Sequence, residues 1–238
     1  MKFETRISKI ENEDVTIRGE TLSSMVTNFK FSDAIFLEIS GRRPTADESV
    51  LFEKILISVI DHGMGTTSSL STRFVASGGN SLNVGVGAGI LSQGNFHGGA
   101  IENAMKQFYS WVDDSSGVRG LIEGRKTIFG FGHKIYKNGD PRVKVILAEM
   151  EKIGYKSKHL HLMKVVEDLF VEVKGKRIPI NIDGLIALLL CDFGFDALLG
   201  KGVFIIGRVS GLVAQCHEEL SLEKPVRRLD ESEIGYLG

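Results

Sequence analysis

Cysteine is scarce in this chain, whose 238 residues include only Cys191 and Cys216. Two cysteines at this separation match neither a disulfide framework nor the paired ligand spacing of a zinc site. We therefore predict two buried free thiols and a cytoplasmic location, where thiols stay reduced. The first residues, Met1 to Arg6, are mixed and polar, unlike a signal peptide.

An excess of charge of one sign is also missing, as are long hydrophobic runs. Lys and Arg number 29 against 30 Asp and Glu, which gives a formal net charge of −1. This balance argues against nucleic acid as a bulk electrostatic partner. The most apolar stretch, Leu185 to Leu190, is far too short to span a bilayer, so we predict no membrane partner.

Proline is rare, and each of the four falls where a helix should begin or a loop should turn: Pro44, Pro141, Pro179 and Pro225. Long stretches between them carry apolar residues at helical period, and strand alternation is scarce. One strand pair is predicted, from Lys2 to Ile10 and from Val15 to Arg18, joined by a turn over Glu11 to Asp14. The chain is thus predicted to be mainly α and to form one compact domain.

Local signals place the starts of several helices. Thr45 to Glu48 is a capping-box pattern, and Asp140-Pro141 combines an N-cap residue with proline in the first turn. Three further helices are predicted from Gly98, after Asp183, and over roughly Gly202 to Leu220.

Gly85, Gly87 and Gly89 form a run that superficially resembles a dinucleotide-binding fingerprint. The third glycine has the wrong offset and no β-branched strand precedes the run, so we reject that function. Glycine lets two backbones approach, and we expect this run to allow close helix packing.

Three of the six histidines stand beside glycines or at a predicted helix end, namely His62, His97 and His133. Imidazoles together with a carboxylate are suited to proton transfer. The N-terminus of the helix after His97 favours a neutral imidazole, which can donate to an oxygen that develops negative charge. A polar cap without chemistry is an equally open interpretation. The other histidines are predicted to be surface residues: His159, His161 and His217.

His133 belongs to a run of thirteen residues that begins at Gly130 and ends at Arg142. Its glycines would let the backbone approach a ligand closely and present N–H groups to it. Arg142, in the first turn of a helix, would present a rigid fork suited to a carboxylate. Lys134 and Lys137 could meet phosphates, although lysines of this kind are more often only solvated.

Asp183 has two interpretations, a catalytic carboxylate or merely the N-cap of the helix that follows. Arg208 lies in a strongly apolar segment, where a charge is costly unless it meets an anion. Arg227 and Arg228 add anion-binding capacity near the C-terminus, or are simply solvated. The histidines lack the spacing of a zinc site, so no metal is predicted.

Taken in order, these motifs resemble the citrate synthase superfamily. The resemblance to the short citryl-CoA lyases, including the C-terminal module of ATP-citrate lyase, is closer still. The matching segments cover most of the chain: residues 17–19, 41–45, 61–63, 76–79, 96–100, 130–133, 140–142 and 181–184. The resemblance implies a citrate-synthase-like helical fold, with one catalytic domain over residues 1–238 and a reduced small lobe over roughly residues 98–200.

The resemblance also implies three catalytic roles. His97 would hydrogen-bond the thioester oxygen and stabilise the enolate of acetyl-CoA. Asp183 would exchange a proton with the acetyl methyl carbon. His133 would exchange a proton with the oxygen of the oxaloacetate carbonyl or of the citryl hydroxyl.

Substrate carboxylates would be held, by the same resemblance, by His62, Arg142, Arg208 and Arg228. Arg228 could act from a second subunit, and Arg227 is an alternative to it. Coenzyme A would be bound by the glycine-rich turn and the residue after it: Gly130, Phe131, Gly132 and Lys134.

The implied activity is cleavage of citryl-CoA to acetyl-CoA and oxaloacetate, which relates the protein to the tricarboxylic acid cycle. A citrate or 2-methylcitrate synthase is the alternative, and a non-catalytic relative that binds CoA thioesters is a third. No cofactor is implied beyond the coenzyme A thioester itself. The expected partners are a second copy of the chain, in a homodimer or higher oligomer, and a separate citryl-CoA synthetase.

Overall fold

A computed structural model of the protein describes residues 2–11, 13–133, 135–136 and 138–238. These residues form eleven α-helices and one three-stranded antiparallel sheet, so the prediction of a mainly α protein with an N-terminal hairpin is confirmed. Three residues that carried predictions lie outside the described ranges: Asn12 of the turn, Lys134 and Lys137.

The sheet lies at the start of the chain. Strands β1 (Ser8–Glu11) and β2 (Asp14–Ile17) pair with Ile10 opposite Val15. A third strand, β3 (Glu20–Thr21), adds to β2 and was not predicted, because two residues carry no readable alternation. The first strand is also shorter than predicted, since it begins at Ser8 rather than Lys2.

Backbone contacts divide the chain into two compact units, each made of two stretches. Unit 1 contains the residues up to Ser58 and those from Ala100 to Gly202, and unit 2 contains Val59–Gly99 and Val203–Gly238. The residues of the predicted small lobe, roughly 98–200, fall mostly in unit 1 together with the start of the chain. The interpretation of the whole chain as a single catalytic domain with such a lobe stays a prediction.

Unit 1 holds the sheet and most of the helices. Its helices are α1 (Leu22–Asn28), α2 (Phe31–Ser40), α3 (Ala46–Ser58), α6 (Ala100–Trp111), α7 (Gly117–Glu123), α8 (Pro141–Lys152), α9 (His161–Lys174) and α10 (Ile182–Asp192). Helix α10 is buried on nearly every side and packs against α6 and α8. A ring cluster built around Phe36 fills the space beside it, with Phe52 and Phe195 at centroid distances of 5.2 and 5.0 Å.

The predicted helix starts in unit 1 are found close to their expected positions. The backbone N–H of Thr45 donates to Glu48 Oε2 at 2.8 Å, and that of Glu48 donates to Thr45 Oγ1 at 3.3 Å, which confirms the capping box. Asp140 caps α8 with Pro141 as the first helical residue, also as predicted. Helix α6 begins at Ala100, two residues after the predicted start at Gly98.

Unit 2 contains α4 (Thr67–Ser77), α5 (Leu82–Leu91) and most of the long helix α11 (Ala197–Leu222). The glycines of α5 allow the close packing that was predicted. A Cβ added to Gly89 would lie 2.1 Å from Thr72 Oγ1 and 3.0 Å from Leu212 Cδ1, and one added to Gly85 would lie 2.7 Å from Cys216 Sγ. Among the described residues, nothing lies within 4 Å of the same position at Gly87.

This contrast predicts opposite effects for two substitutions of the same kind. Gly89→Ala should destabilise the protein by about 1–3 kcal/mol, because the added methyl group overpacks the contact between α4 and α5. Gly87→Ala should be neutral or stabilise by up to about 1 kcal/mol, because alanine has the higher helix propensity. Urea unfolding of both variants would check this, and a destabilised Gly87→Ala with an unchanged Gly89→Ala would contradict it.

Helix α11, rather than the stretch from Leu185 to Leu190, is the most membrane-like segment. By length and composition alone α11 could cross a membrane, but a core helix of a folded protein can pass the same test. Leu212 and Cys216 on this helix are fully buried in the core of unit 2. Both cysteines are buried free thiols, as predicted.

Candidate active site

The glycine-rich turn of unit 1 lies directly against the start of α10. Gly130 and Gly132 have φ angles of +82° and +76°, a conformation that favours glycine. A Cβ on Gly130 would lie 2.5 Å from Gly184 Cα. Asn181 ties the two segments together, since its backbone N–H donates to Gly130 O at 2.9 Å and its Nδ2 donates to Gly132 O at 2.6 Å. The glycines were predicted to let the backbone approach a ligand closely. At Gly130 the backbone that comes this close is that of α10.

His133 is held in a fixed orientation at the end of this turn. Its Nδ1 accepts hydrogen bonds from the backbone N–H groups of Ile135 and Tyr136, at 3.1 and 3.2 Å. The ring stacks on Tyr136 with a centroid separation of 4.7 Å. Because Nδ1 faces the backbone, proton exchange with a substrate would fall to Nε2.

Asp183 lies in the first turn of α10, on the helix that the turn contacts. The N-cap is Asn181, whose side chain accepts a hydrogen bond from Gly184 N at 3.1 Å. The interpretation of Asp183 as the helix cap is therefore wrong, because the chain enters the helix earlier than expected. The contact between Gly130 and Gly184 brings the segment of His133 to the end of α10 that carries Asp183.

Arg142 joins the same part of unit 1 through Asp140. Arg142 Nε and Nη2 donate to the two carboxylate oxygens of Asp140, at 3.0 and 2.7 Å, and Nη1 donates to Ser58 O at 3.3 Å. The second oxygen of Asp140 also accepts from the backbone N–H of Ile182, at 3.2 Å. Burial would raise the pKa of Asp140, but the bonds and charge of Arg142 outweigh it and hold that pKa below its usual value. Asp140 thereby ties Arg142 to the start of α10, a role that its sequence position as a helix cap did not reveal.

Phe131, predicted to contact coenzyme A, lies among aromatic side chains. Its ring centroid lies 6.3 Å from that of Phe108 and 6.0 Å from that of Phe170. These contacts explain why an aromatic residue separates the two glycines. Its role toward coenzyme A stays a prediction.

His97 lies in unit 2, where its Nε2 is 2.8 Å from Ser68 Oγ and its ring meets Phe204 edge to face. Burial, and then the charges of Arg208 and His62, lower the pKa of His97 below its usual value. The imidazole is therefore neutral at pH 7, as predicted. The dominant cause is burial, whereas the sequence had pointed to a helix terminus.

Arg208 and His62 are the neighbours of His97 in unit 2. Arg208 is 2% exposed, donates from Nε to Val59 O at 2.7 Å and lies 4.9 Å above the ring of Phe204. The loop of His62 is shaped by Asp61, whose Oδ1 accepts from the backbone N–H groups of His62 and of the residue after it. Unit 2 thus brings together two histidines and a buried arginine.

The two C-terminal arginines differ in their surroundings. Arg227 forms two hydrogen bonds to the buried carboxylate of Glu219, at 2.8 and 2.7 Å. Arg228 is largely exposed and pairs with Glu231 at 2.9 Å. The assignment of a substrate carboxylate to Arg228, with Arg227 as the alternative, stays a prediction.

One histidine was misplaced by the sequence analysis. His159 is 3% exposed, and its Nδ1 lies 2.7 Å from Asp192 Oδ1. The charged sequence around it suggested a surface, but Asp192 comes from α10, 33 residues further along the chain. His161 and His217 are exposed as predicted. Within the described part of the chain, no group of three or more His, Cys, Asp and Glu side chains could hold a metal ion.

Comparison with known proteins agrees with the resemblance seen in the motifs. A sequence model described as citrate synthase, C-terminal domain, matches residues 36–229. The structure of citryl-CoA lyase from Hydrogenobacter thermophilus is similar with a TM-score of 0.94 and 42% identity, over 99% of this chain and 94% of that one. ATP citrate lyase from Methanothrix soehngenii, solved with citrate and coenzyme A, shares the fold with a TM-score of 0.88 and 23% identity, over 100% of this chain and 42% of that one.

Among curated proteins, citrate synthase 2 of Bacillus subtilis (strain 168) is 28% identical over 208 residues, which cover 84% of this chain and 55% of the relative. The chain spans about half the length of the curated citrate synthases that it matches. The matched range, residues 36–229, includes the motifs of His62, His97, His133 and Asp183. The chain therefore belongs to the citrate synthase family, through the family's C-terminal domain.

Proposed function

We propose that this protein is a citryl-CoA lyase, which cleaves citryl-CoA to acetyl-CoA and oxaloacetate. The observation that supports it most is the similarity to the lyase of Hydrogenobacter thermophilus, at 42% identity and a TM-score of 0.94. That similarity runs over 94% of the lyase, whereas the chain covers 55% of citrate synthase 2.

In the proposed reaction, the citryl hydroxyl gives its proton to Nε2 of His133 as the adjacent C–C bond breaks. Nε2 must first lose the proton that it carries while Nδ1 accepts from the backbone. The hydroxyl oxygen becomes the carbonyl of oxaloacetate, and the bonding electrons move into the thioester as an enolate. His97, neutral because it is buried, would donate a hydrogen bond to the enolate oxygen. Asp183 would then give a proton to the terminal carbon, which forms the methyl group of acetyl-CoA. The thioester is itself the electron sink, so the chemistry requires neither a metal nor a redox cofactor.

The citryl group also carries two free carboxylates, for which the chain offers cationic and imidazole side chains. We assign this binding to His62, Arg142, Arg208 and Arg228, with Arg228 acting in a second subunit. Residues 130–132, together with Lys134, would bind coenzyme A.

A citrate synthase is the second candidate, because the family match and the 28% identity to citrate synthase 2 favour it. A synthase uses the same carbon–carbon chemistry in the forward direction but must also hydrolyse the thioester of citryl-CoA. Hydrolysis requires a closed site and a positioned water molecule.

The two candidates predict different products from one substrate. Purified protein given citryl-CoA should form acetyl-CoA and oxaloacetate in equal amounts, measured by chromatographic separation of the products. Citrate with free coenzyme A would establish the synthase instead. Recovery of unchanged citryl-CoA from folded protein would contradict both and favour a relative that only binds CoA thioesters.

A further inference from the structure

A continuous chain of hydrogen bonds in unit 2 runs from the C-terminal segment to the loop of His62. We call it the Arg73 network, and its members are Arg227, Glu219, Arg73, Gln215 and Asp61. Arg73 is 3% exposed and donates from Nη1 to Glu219 Oε2 at 2.9 Å and from Nε to Gln215 Oε1 at 2.7 Å. Gln215 Nε2 in turn donates to Asp61 Oδ2 at 3.0 Å.

Gln215 is the member of the network that both accepts and donates a hydrogen bond. A guanidinium can only donate hydrogen bonds, and a carboxylate can only accept them. The amide of Gln215 offers an oxygen to Arg73 and an N–H to Asp61, so it fits between them. A glutamate of the same shape would accept from Arg73 equally well but would place a second negative charge against Asp61.

Asp61 transmits this contact to the backbone of His62. One of its oxygens accepts from Gln215, and the other accepts from the N–H groups of His62 and Gly63. Helix α11 approaches the same loop closely, because a Cβ on Gly211 would lie 2.2 Å from Ile60 O. Burial would raise the pKa of Asp61, but these hydrogen bonds and the charge of Arg208 outweigh it and hold that pKa below its usual value.

We infer that Gln215 and Asp61 are positioning residues, which hold the loop so that the His62 side chain meets a carboxylate of the substrate. This inference rests on the proposed function, because it takes His62 as a substrate ligand. Neither Gln215 nor Asp61 contacts the substrate in this account. Their effect is therefore expected in KM for citryl-CoA more than in kcat.

Two substitutions at Gln215 test the inference. Gln215→Met keeps the length of the side chain and removes both hydrogen bonds, so KM should rise roughly tenfold at every pH, as for other residues that orient a ligand. Gln215→Glu should raise KM more than this at pH 8, because the introduced carboxylate repels Asp61. Protonation restores a donor toward Asp61, so the KM defect of Gln215→Glu should shrink as the pH is lowered toward 5.5.

Several charged groups act on the introduced carboxyl group, and together they determine how readily it ionises. Asp61 opposes its ionisation, and Arg73, which is bound directly, favours it. Glu218, which also pairs with Arg73, and Glu219 oppose ionisation from further along α11. Arg208 lowers the pKa of Asp61 and so keeps the opposing charge of Asp61 in place. Ser221→Glu adds the same charge to an exposed position of α11 and should leave KM unchanged.

A readout that does not depend on turnover separates failure of this inference from failure of the proposed function. Hydrogen exchange measured by NMR should show that the His62 and Gly63 amides lose protection in Gln215→Met and Gln215→Glu but not in Ser221→Glu. If the amides behave as expected but the wild-type protein does not cleave citryl-CoA, the proposed function is overturned, whereas the role of Gln215 in holding the loop is not. Unchanged amide protection, or equal and pH-independent KM values for both Gln215 variants, would overturn the positioning role.

Discussion

Asp183→Asn is expected to lower the kcat for citryl-CoA cleavage by about 10³- to 10⁴-fold, near the upper range for loss of a general acid or base. The amide has nearly the shape of the carboxyl group but cannot give up a proton to the enolate carbon. Asn181, rather than Asp183, caps α10, so the substitution leaves the helix start intact. Stopped-flow or steady-state assays of acetyl-CoA formation would measure the loss.

Asp168→Asn is the matched control for this substitution. Asp168 lies exposed on α9, where it pairs with Lys164 at 2.7 Å, so its removal should leave both turnover and stability unchanged. The far-ultraviolet circular dichroism and the unfolding midpoint of Asp183→Asn should match those of wild type. Turnover within tenfold of wild type in that variant would contradict the role of Asp183 in proton transfer.

Asp140→Ala is expected to destabilise the protein by about 3–5 kcal/mol, the usual effect of removing one partner from a buried ion pair. Its side chain is fully buried. It pairs with the guanidinium of Arg142, caps α8 by accepting from the backbone N–H of Arg142, and accepts from the backbone N–H of Ile182. Removing it leaves a guanidinium without its counter-charge and opens the start of α10. Denaturant unfolding would measure the loss, and the exposed Asp114→Ala should have little effect.

The pH dependence of stability gives an independent check on Asp140. Its pKa in the folded protein is below the ordinary carboxyl value of about 3.9. Its ionised form therefore stabilises the fold fully above about pH 3.9, and this contribution is lost as the pH falls through the lower, folded value. Asp140→Asn should be less stable than wild type at pH 7, and the difference should narrow in acid. A difference that stayed constant down to pH 2 would show that charge is not what Asp140 contributes.

Local sequence signals predicted the starts of α3 and α8 and the close packing of Gly85 and Gly89 correctly. The capping box at Thr45, the Asp140-Pro141 pair and the packing role of Gly89 each depend on a few neighbouring residues or on one absent side chain. The motifs of His133 and of Asp183 were also recognised in the sequence, although Asn181 and not Asp183 is the cap of α10. These features need no knowledge of the partner element, which is why the sequence was enough for them.

Features that depend on distant partners were not predicted. The burial of His159 follows from Asp192, and the environment of Arg142 follows from the contact of Asp140 with α10. The neutral state of His97 was predicted, but from the helix after it and not from its burial. Gln215 carries no motif, and its role between Arg73 and Asp61 appears only once α4, α11 and the loop of His62 are placed together.

The division of unit 2 into two stretches has a consequence for folding during synthesis. Arg73 and Glu219 are separated by 146 residues, and Leu82 and Cys216 by 134. On the ribosome, α4 and α5 emerge long before the part of α11 that covers them, so their apolar faces stay uncovered until α11 has been synthesised. Contacts of such long range also slow folding. The loop of His62 thus acquires its final orientation only after α11 has been made.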